Sequence, residues 1–354
     1  MDYQVTAKRI VKGIASPLLD FCGIYDAMLS RRVFSQPNWL ILMYHRVIRS
    51  AAEDPFRLDM CVEQELFAEQ IEYHVRHFTP IAMGDAVARI HAGKPLPSHA
   101  VSVTFDDGYL DFKEAALPVL KRYGCPATVF VTTGGLEEGA GFWWDGVTDM
   151  VASTRRKHVD IRLLAPGAPL KELPLTSRHR RRTLLLLQNL LWEQPPDRLE
   201  EQLERLRNQL EVEAGGPLQA PRMRHADIES VAGEGIEIGA HCERHVDMRR
   251  LSSEECLHEL ESSRRLLREL SGQPVNGFAY PGGRQNGHVR KLVAKAGFTY
   301  AAGTPCGLSR QPHDMFNLPR LGMPDAGISE YKRCLANAAG AAPSPVRYES
   351  VPWP

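Results

Sequence analysis

Compact apolar runs alternate with amphipathic segments along most of the chain. The runs at 39–47, 101–105 and 126–132 are rich in β-branched and aromatic residues, which is typical of buried strands. The segments at 64–77 and 112–123 have a helical pattern, and a glycine follows the second one as a helix stop. Strand, helix and strand at this spacing predict parallel strands joined by helical crossovers, as in an α/β barrel.

The same alternation returns in the second half of the chain. A capping-box pattern at 252–255 opens a predicted helix, and short strands are predicted near 236–240, 278–280 and 298–302. We therefore expect a distorted (β/α) barrel of about seven parallel strands over residues 37–330.

Residues from about 151 to 225 interrupt this alternation. Four leucines between 199 and 210 form an apolar stripe on a charged helix, and a leucine-rich helix precedes it. We expect two helices inserted into the barrel. The stripe is typical of core packing but also fits a partner interface. The basic run at 178–182 fits either a solvated face or a contact with anionic lipid.

The two ends of the chain follow neither pattern. Residues 1–36 combine interrupted apolar positions with three basic residues between positions 8 and 12, which predicts an amphipathic helix rather than a signal peptide. Two interpretations of residues 1–32 stay open, peripheral contact with a membrane and packing against the barrel. Residues 331–354 are rich in alanine, proline and serine, and we expect a loosely ordered tail.

Composition narrows the classes of partner and compartment. The 43 basic and 43 acidic residues give a net charge near zero, so the charge balance does not point to a nucleic-acid partner. The seven cysteines include no Cys-x-x-Cys pair, which favours reduced thiols in a cytoplasm over a disulfide framework. No stretch of about 20 apolar residues is present to span a membrane. We expect a cytoplasmic protein, or one held peripherally at the inner face of the membrane.

Two adjacent carboxylates end the strand at 101–105. Asp106 and Asp107 repel each other in one tight turn unless a cation or a proton separates their roles. A metal would let one aspartate act as a ligand and the other as a base. The alternative is an ordinary Asp-Asp-Gly surface turn.

A second strand end carries two histidines. His241 and His245 follow the strand at 236–240, and a spacing of four places them on one face if the segment is helical. Two neutral imidazoles and one carboxylate form a known zinc ligand set with one position open for water. An isolated His-x-x-x-His stretch lies on the surface more often than it binds a metal. The strand end that carries Asp106 and Asp107 therefore strengthens the interpretation of a metal site.

A third strand end, at 277–283, leads into a Pro-Gly-Gly loop. Together with Thr104-Phe105-Asp106-Asp107-Gly108 and the His-x-x-x-His stretch, it resembles the polysaccharide deacetylase family, carbohydrate esterase family four. The Tyr-His-Arg-Val stretch at 44–47 is similar to the exopolysaccharide-biosynthesis branch of that family. The resemblance covers roughly residues 37–150 and 225–325.

The resemblance implies a hydrolase that removes N-acetyl groups from a glycan. Asp107, His241 and His245 would hold one divalent metal, which lowers the pKa of a bound water and polarises the acetamide carbonyl. Asp106 would accept the proton of that water as general base. Zinc is the default metal for this ligand set, and cobalt, nickel or iron(II) would also fit.

The resemblance also suggests contacts with the substrate. A backbone amide of the loop containing Tyr280 and Gly282 would bind the oxyanion. Tyr109 and Trp144 are candidate substrate contacts, since sugar rings stack on aromatic faces. Core packing is the plainer explanation for Trp144.

Two positions depart from the family pattern. Ala279 stands where many members carry an arginine that orients the base, and Arg320 stands where many carry an acid histidine. Arginine stays charged and is a poor proton donor, so Arg320 is predicted to supply the missing guanidinium near Asp106. His45, at the end of the first strand, is the candidate general acid.

Two other functions are compatible with the same residues. One is a deacylase or deformylase of a small nucleotide- or lipid-linked amino sugar. The other is a non-catalytic glycan-binding protein on the same fold. The intact Asp-Asp and His-His set argues against a pure binder.

Overall fold

The computed structural model describes residues 17–34, 38–58, 60–139, 141–162, 164, 171–213, 220–303, 305–310, 313–340 and 344–345. These form two compact units, one from the described parts of 1–50, 59–138 and 223–346, the other from those of 51–58 and 139–222. Residues 1–16 of the predicted N-terminal helical segment 1–36 and the end of the predicted tail lie outside the described residues.

A parallel sheet forms the centre of the first unit. Its strands are β1 Trp39–Tyr44, β2 Thr79–Pro80, β3 Ala100–Phe105, β4 Ala127–Val131, β5 Glu237–Ala240, β6 Gly277–Ala279, β7 Tyr300–Ala302 and β8 Leu321–Gly322. Seven of them follow the order β7-β6-β5-β4-β3-β1-β8, and β2 pairs with the start of β3. All these pairings are parallel. The predicted barrel of about seven parallel strands is confirmed.

The strands are apolar because both of their faces are covered. Every residue of β1, β3 and β4 is buried, as expected for a parallel sheet with side chains filling its interior and helices outside. The polar residues that directly follow these strands lie at the end of the sheet, where Asp106 and Asp107 are still buried.

The segment at 318–322 joins the two edges of the sheet. Leu318 bridges to Ala302 at the end of β7, whereas Leu321 pairs with Leu42 in β1. Arg320 lies between these contacts and is fully buried. The closure of the sheet therefore turns this side chain inward.

Helices cover the outside of the sheet in the first unit. They are Ile24–Leu29, Gln64–His77, Met83–His91, Leu117–Tyr123, His225–Gly233, Ser253–Ser271, Gly287–Lys295 and Ile328–Gly340. Single π-helical turns at Ser30–Phe34 and Phe112–Ala116 and 3₁₀ turns at Met248–Arg250 and Pro281–Gly283 accompany them. The predicted stop at Gly124 is present, with φ of 60°, and Ser252 and Glu255 form the predicted capping box. Short pairings of Arg46–Ile48 with Cys61–Glu63 and of Pro305–Cys306 with Ser344–Pro345 complete the unit.

The second unit has its own core. It contains the helices Trp143–Ser153, Arg180–Trp192 and Leu199–Leu210, 3₁₀ turns at Ala51–Glu53 and Pro196–Arg198, and an antiparallel pair, His158–Asp160 with Glu172–Pro174. The two predicted helices are present, and Leu206 and Leu210 of the stripe are buried in this core. The sequence did not reveal the antiparallel pair or the start of the unit near 139.

Arg180 is a structural residue in the second unit. Its guanidinium donates to the carbonyls of Val151, Ala152, Thr154 and Leu175. These bonds satisfy carbonyls near the end of helix Trp143–Ser153 and in the adjacent segments, so this partly buried member of the basic run has a structural role within the unit.

The expectation of a loosely ordered tail is wrong for residues 331–340. Helix Ile328–Gly340 buries Tyr331, Leu335 and Ala336, whose spacing gives it an apolar face. Lys332 pairs with Asp20 and Asp26 of the N-terminal segment at 3.0 Å.

The described part of the N-terminal segment, residues 17–34, thus packs on this helix and also exposes apolar side chains. Leu18 is 62 %, Phe21 90 % and Ile24 41 % exposed. Among the described residues, no helix has both the length and the apolar character needed to cross a bilayer.

Candidate metal centre and active site

The strand register brings the predicted polar residues to one end of the barrel. Tyr44 of β1 is level with Phe105 of β3, so the residues that follow them, His45 and Asp106, emerge side by side. The same end of a parallel barrel receives the residue after β5, His241.

Asp107, His241 and His245 form a compact cluster. Their ligand atoms all lie within 4.8 Å of one another, and all three residues are buried. The Nε2 atoms of His241 and His245 lie 3.4 and 3.3 Å from the same carboxylate oxygen, Oδ1 of Asp107. The three predicted ligands therefore point at one small volume.

The histidines do not share a helical turn. Residues 241–247 form a loop, in which Cys242 and His245 have φ of 65° and 52°. This helical interpretation was wrong, and a left-handed kink, not helical periodicity, brings the imidazoles together.

The donor set fits a divalent cation. The Nδ1–H of His241 donates to the carbonyl of Ala279 at 2.7 Å, which leaves the Nε2 lone pair directed at the cluster. Oδ1 of Asp107 is buried without a hydrogen-bond partner in the described part of the chain. A buried carboxylate oxygen between two imidazole nitrogens is costly unless a cation or protons satisfy it.

Charges within the cluster shift its pKa values. Burial opposes ionisation of Asp107, but the adjacent imidazoles of His241 and His245 outweigh it and hold the pKa of Asp107 well below its usual range. Burial lowers the pKa of His245, whereas for His241 the contacts with both aspartates overcome burial and raise the pKa. The carboxylate is therefore ionised, as a metal ligand must be.

Arg320 holds the second aspartate. Its Nη1 and Nη2 donate to Oδ1 and Oδ2 of Asp106 at 2.6 and 2.7 Å, and its Nε donates to the Gly303 carbonyl at 3.0 Å. Burial raises the pKa of Asp106, but Arg320 and His241 more than offset this and lower it. The structure thus places Arg320 where the sequence put the missing guanidinium.

His45 is partly exposed beside the aspartates. It is close enough to Asp106 and Asp107 to favour their ionised forms electrostatically. The neighbouring Arg46 is held by Asp111, with Nε to Oδ2 at 2.8 Å, and its guanidinium lies 5.1 Å from the centre of the Tyr109 ring. The sequence did not single out Asp111, because an acidic residue at the start of a helix is commonplace.

In the loop after β6, one of the two predicted oxyanion-binding residues is engaged elsewhere. The amide of Tyr280 donates to Ala302 in the sheet, its hydroxyl donates to the Phe316 carbonyl, and its side chain is fully buried. The Tyr280 amide is therefore engaged in the sheet and is not the oxyanion donor that the loop was predicted to supply. Within the loop, the amide of Gly283 donates to the Tyr280 carbonyl and Pro281 has no amide hydrogen. The amide of Gly282, at φ of 57°, remains the candidate oxyanion donor.

The two aromatic candidates differ in their surroundings. Tyr109 is fully buried beneath Arg46, so the expected substrate contact is wrong for this side chain. Trp144 belongs to the second unit and stacks on Phe142 with 4.2 Å between ring centres. Its contact with a glycan stays a prediction.

Comparison with known families agrees with this geometry. The family model described as polysaccharide deacetylase matches residues 93–156 and 191–301, which include both aspartates and both histidines. The chain belongs to the polysaccharide deacetylase family. The predicted membership is confirmed. His45 and Arg320 lie outside the residues that the family model matches.

Individual relatives are more distant. The poly-beta-1,6-N-acetyl-D-glucosamine N-deacetylase of Escherichia coli (strain K12) is 28 % identical over 103 residues, which cover 29 % of this chain. The matched stretch spans 15 % of that relative's length.

Solved structures share the fold. The Streptococcus pyogenes deacetylase PplD, in complex with acetate, superposes with a TM-score of 0.56 at 17 % identity, covering 83 % of this chain and 96 % of its own. IcaB from Ammonifex degensii superposes with a TM-score of 0.50 at 17 % identity, covering 86 % and 97 %.

Proposed function

We propose that the chain is a metal-dependent hydrolase that removes N-acetyl groups from an amino sugar within a glycan. The observation that carries the proposal is that the two adjacent aspartates have different partners. Asp107 faces the two imidazoles, whereas Asp106 is held by Arg320. A ligand and a separate ionised base are the two parts that amide hydrolysis by water needs.

Asp107, His241 and His245 are the residues that would hold the metal. When bound there, a divalent ion would lower the pKa of a coordinated water and polarise the acetamide carbonyl. Asp106 would accept the proton from the attacking water, because each carboxylate oxygen keeps a second lone pair beyond its bond to Arg320. Arg320 keeps this carboxylate ionised and fixes its plane.

The Gly282 amide and His45 would complete the reaction. The amide would stabilise negative charge on the acetyl oxygen in the tetrahedral state. His45 would give a proton to the departing amine nitrogen, since a histidine can carry a transferable proton near neutral pH. Acetate and a free sugar amine are the products.

The substrate class follows from the family and from the named relative. The Escherichia coli relative is described as acting on poly-beta-1,6-N-acetyl-D-glucosamine. We propose an N-acetylhexosamine glycan as the substrate.

We also propose that residues 17–24 contact a membrane surface. Leu18, Phe21 and Ile24 expose apolar surface, and the segment before them carries basic residues at 8, 9 and 12. Apolar side chains beside positive charge suit an anionic bilayer. In a sedimentation assay with anionic vesicles, the double substitution Phe21→Ser and Ile24→Ser should move protein from pellet to supernatant. Unchanged sedimentation would reject this contact.

The enzymatic proposal is tested by metal content and acetate release. Metal-free protein should bind one Zn²⁺ or Co²⁺, and His241→Ala or His245→Ala should abolish stoichiometric binding while leaving a folded protein. Acetate release should be compared on β-1,6-linked N-acetylglucosamine oligomers and on a lipid-linked N-acetyl amino sugar. Metal binding without acetate release from either substrate would favour a glycan-binding protein.

A further inference from the structure

The loop that carries both histidines has a strained backbone. Cys242 and His245 adopt positive φ, a backbone conformation that is unfavourable for residues other than glycine. Such a conformation persists only when surrounding contacts hold it. Because the loop sets where the imidazoles point, the contacts that hold it bear directly on the metal centre.

A buried carboxylate from a neighbouring helix holds this loop. Glu259 of helix Ser253–Ser271 is fully buried. Its Oε2 accepts hydrogen bonds from the amides of Glu243 at 3.0 Å and Arg244 at 2.9 Å. Its Oε1 accepts one from Nε of Arg244. These donors offset the cost of burying the carboxylate, and the carboxylate satisfies two consecutive amides between His241 and His245.

The opposite side of the loop is held by the residues after β4. The amides of Thr133 and Gly134 donate to the carbonyls of Cys242 at 3.1 Å and Glu243 at 2.7 Å. A Cβ at position 134 would lie 2.6 Å from the Glu243 carbonyl oxygen, so only glycine fits there. The peptide groups between the histidines are thus fixed from two directions.

We infer that Glu259 is a positioning residue of the metal centre, which sets the loop so that His241 and His245 meet Asp107 before the ion arrives. The inference rests on the proposed function, since it presumes that this cluster binds a metal. Glu259 does not touch the cluster and acts only through the loop backbone. From sequence it looks like one more acid on the charged side of an amphipathic helix.

The test is metal affinity, measured on metal-free protein by chelator competition with Zn²⁺ or Co²⁺. Glu259→Met keeps the length of the side chain and removes the oxygen acceptors, and its affinity should fall about 10- to 100-fold. Glu259→Gln keeps one oxygen for the two amides and should stay within about threefold of wild type. Glu261→Met changes an exposed glutamate of the same helix and should leave affinity unchanged.

The outcomes separate this inference from the proposed function. Folded Glu259→Met with wild-type affinity would overturn the role of Glu259 while leaving the metal centre intact. A wild-type protein that binds no ion would reject both.

If Glu259→Met does not fold, amide hydrogen exchange of the metal-free wild type tests the same inference. The amides of Glu243 and Arg244 should then be as protected as those of helix Ser253–Ser271. Fast exchange at these two amides would also overturn the inference.

Discussion

Arg320 and Asp106, 214 positions apart in sequence, form two parallel hydrogen bonds in the interior of the barrel. Both side chains are almost completely buried, at 0 % and 4 % exposure. A bidentate guanidinium–carboxylate pair fixes orientation as well as charge. This family member thus obtains from the segment that leads into its last barrel strand the positive charge that Ala279 does not provide.

Arg320→Lys should impair turnover while retaining metal. An ammonium is a point charge and cannot reproduce the planar fork, so Asp106 would lose its fixed orientation. We expect kcat to fall about 10²-fold, the scale expected for a misplaced catalytic group. Steady-state acetate release together with metal analysis checks this. Loss of metal from the folded variant would instead assign Arg320 to the integrity of the site.

Asp106→Asn should separate the base from the ligands. The amide cannot accept the proton from water, whereas Asp107 and the histidines are unchanged. Turnover should drop about 10²- to 10⁴-fold, the usual contribution of a general base. Metal stoichiometry, measured by atomic emission, should remain that of wild type. Acetate release near the wild-type rate would remove Asp106 from the mechanism.

His45→Ala should affect amide substrates more than esters. An amine is a poor leaving group without a proton, whereas an alcohol departs with less help. We expect roughly 10²-fold loss on an N-acetyl substrate and less than about tenfold loss on an acetate ester. Parallel kcat/KM measurements on the two substrates decide the point. Equal losses would mean that His45 shapes the site and does not donate the proton.

Buried His74 should make the stability of the fold sensitive to acid. Burial, with a smaller effect of His77, lowers its pKa to about 3, whereas an unfolded chain has a histidine pKa of about 6.5. Below pH 6.5 the unfolded chain therefore binds a proton that the folded protein refuses. The free energy of unfolding should fall by up to about 1.4 kcal/mol per pH unit between pH 6.5 and 3 from this residue.

Denaturant unfolding at several pH values tests this behaviour. His74→Gln should flatten the slope between pH 6.5 and 4, since glutamine does not titrate and can still accept from the Tyr331 hydroxyl. His91→Gln, which changes an exposed histidine, is the matched control and should preserve the slope. An identical slope in His74→Gln would assign the acid sensitivity to other groups.

The sequence by itself determined the strands, most helices and the ligand types. β-branched apolar runs predict strands locally, Gly124 ends its helix, and the capping box at 252–255 starts another, because these signals act over a few residues. Polar residues directly after strands predicted the cluster of Asp107, His241 and His245, since parallel strands in a barrel end on one face.

The tertiary structure alone decided how individual side chains are used. Sheet closure through 318–322 buried Arg320 against Asp106, and Tyr280 lies buried with its hydroxyl on the Phe316 carbonyl. The loop with the left-handed turns at Cys242 and His245 is held by Glu259, which lies 16 and 15 positions beyond the two amides that it binds. These contacts join positions far apart in the chain, and their free energy exists only once the sheet has closed and excluded water. Local sequence pattern carries no record of such contacts.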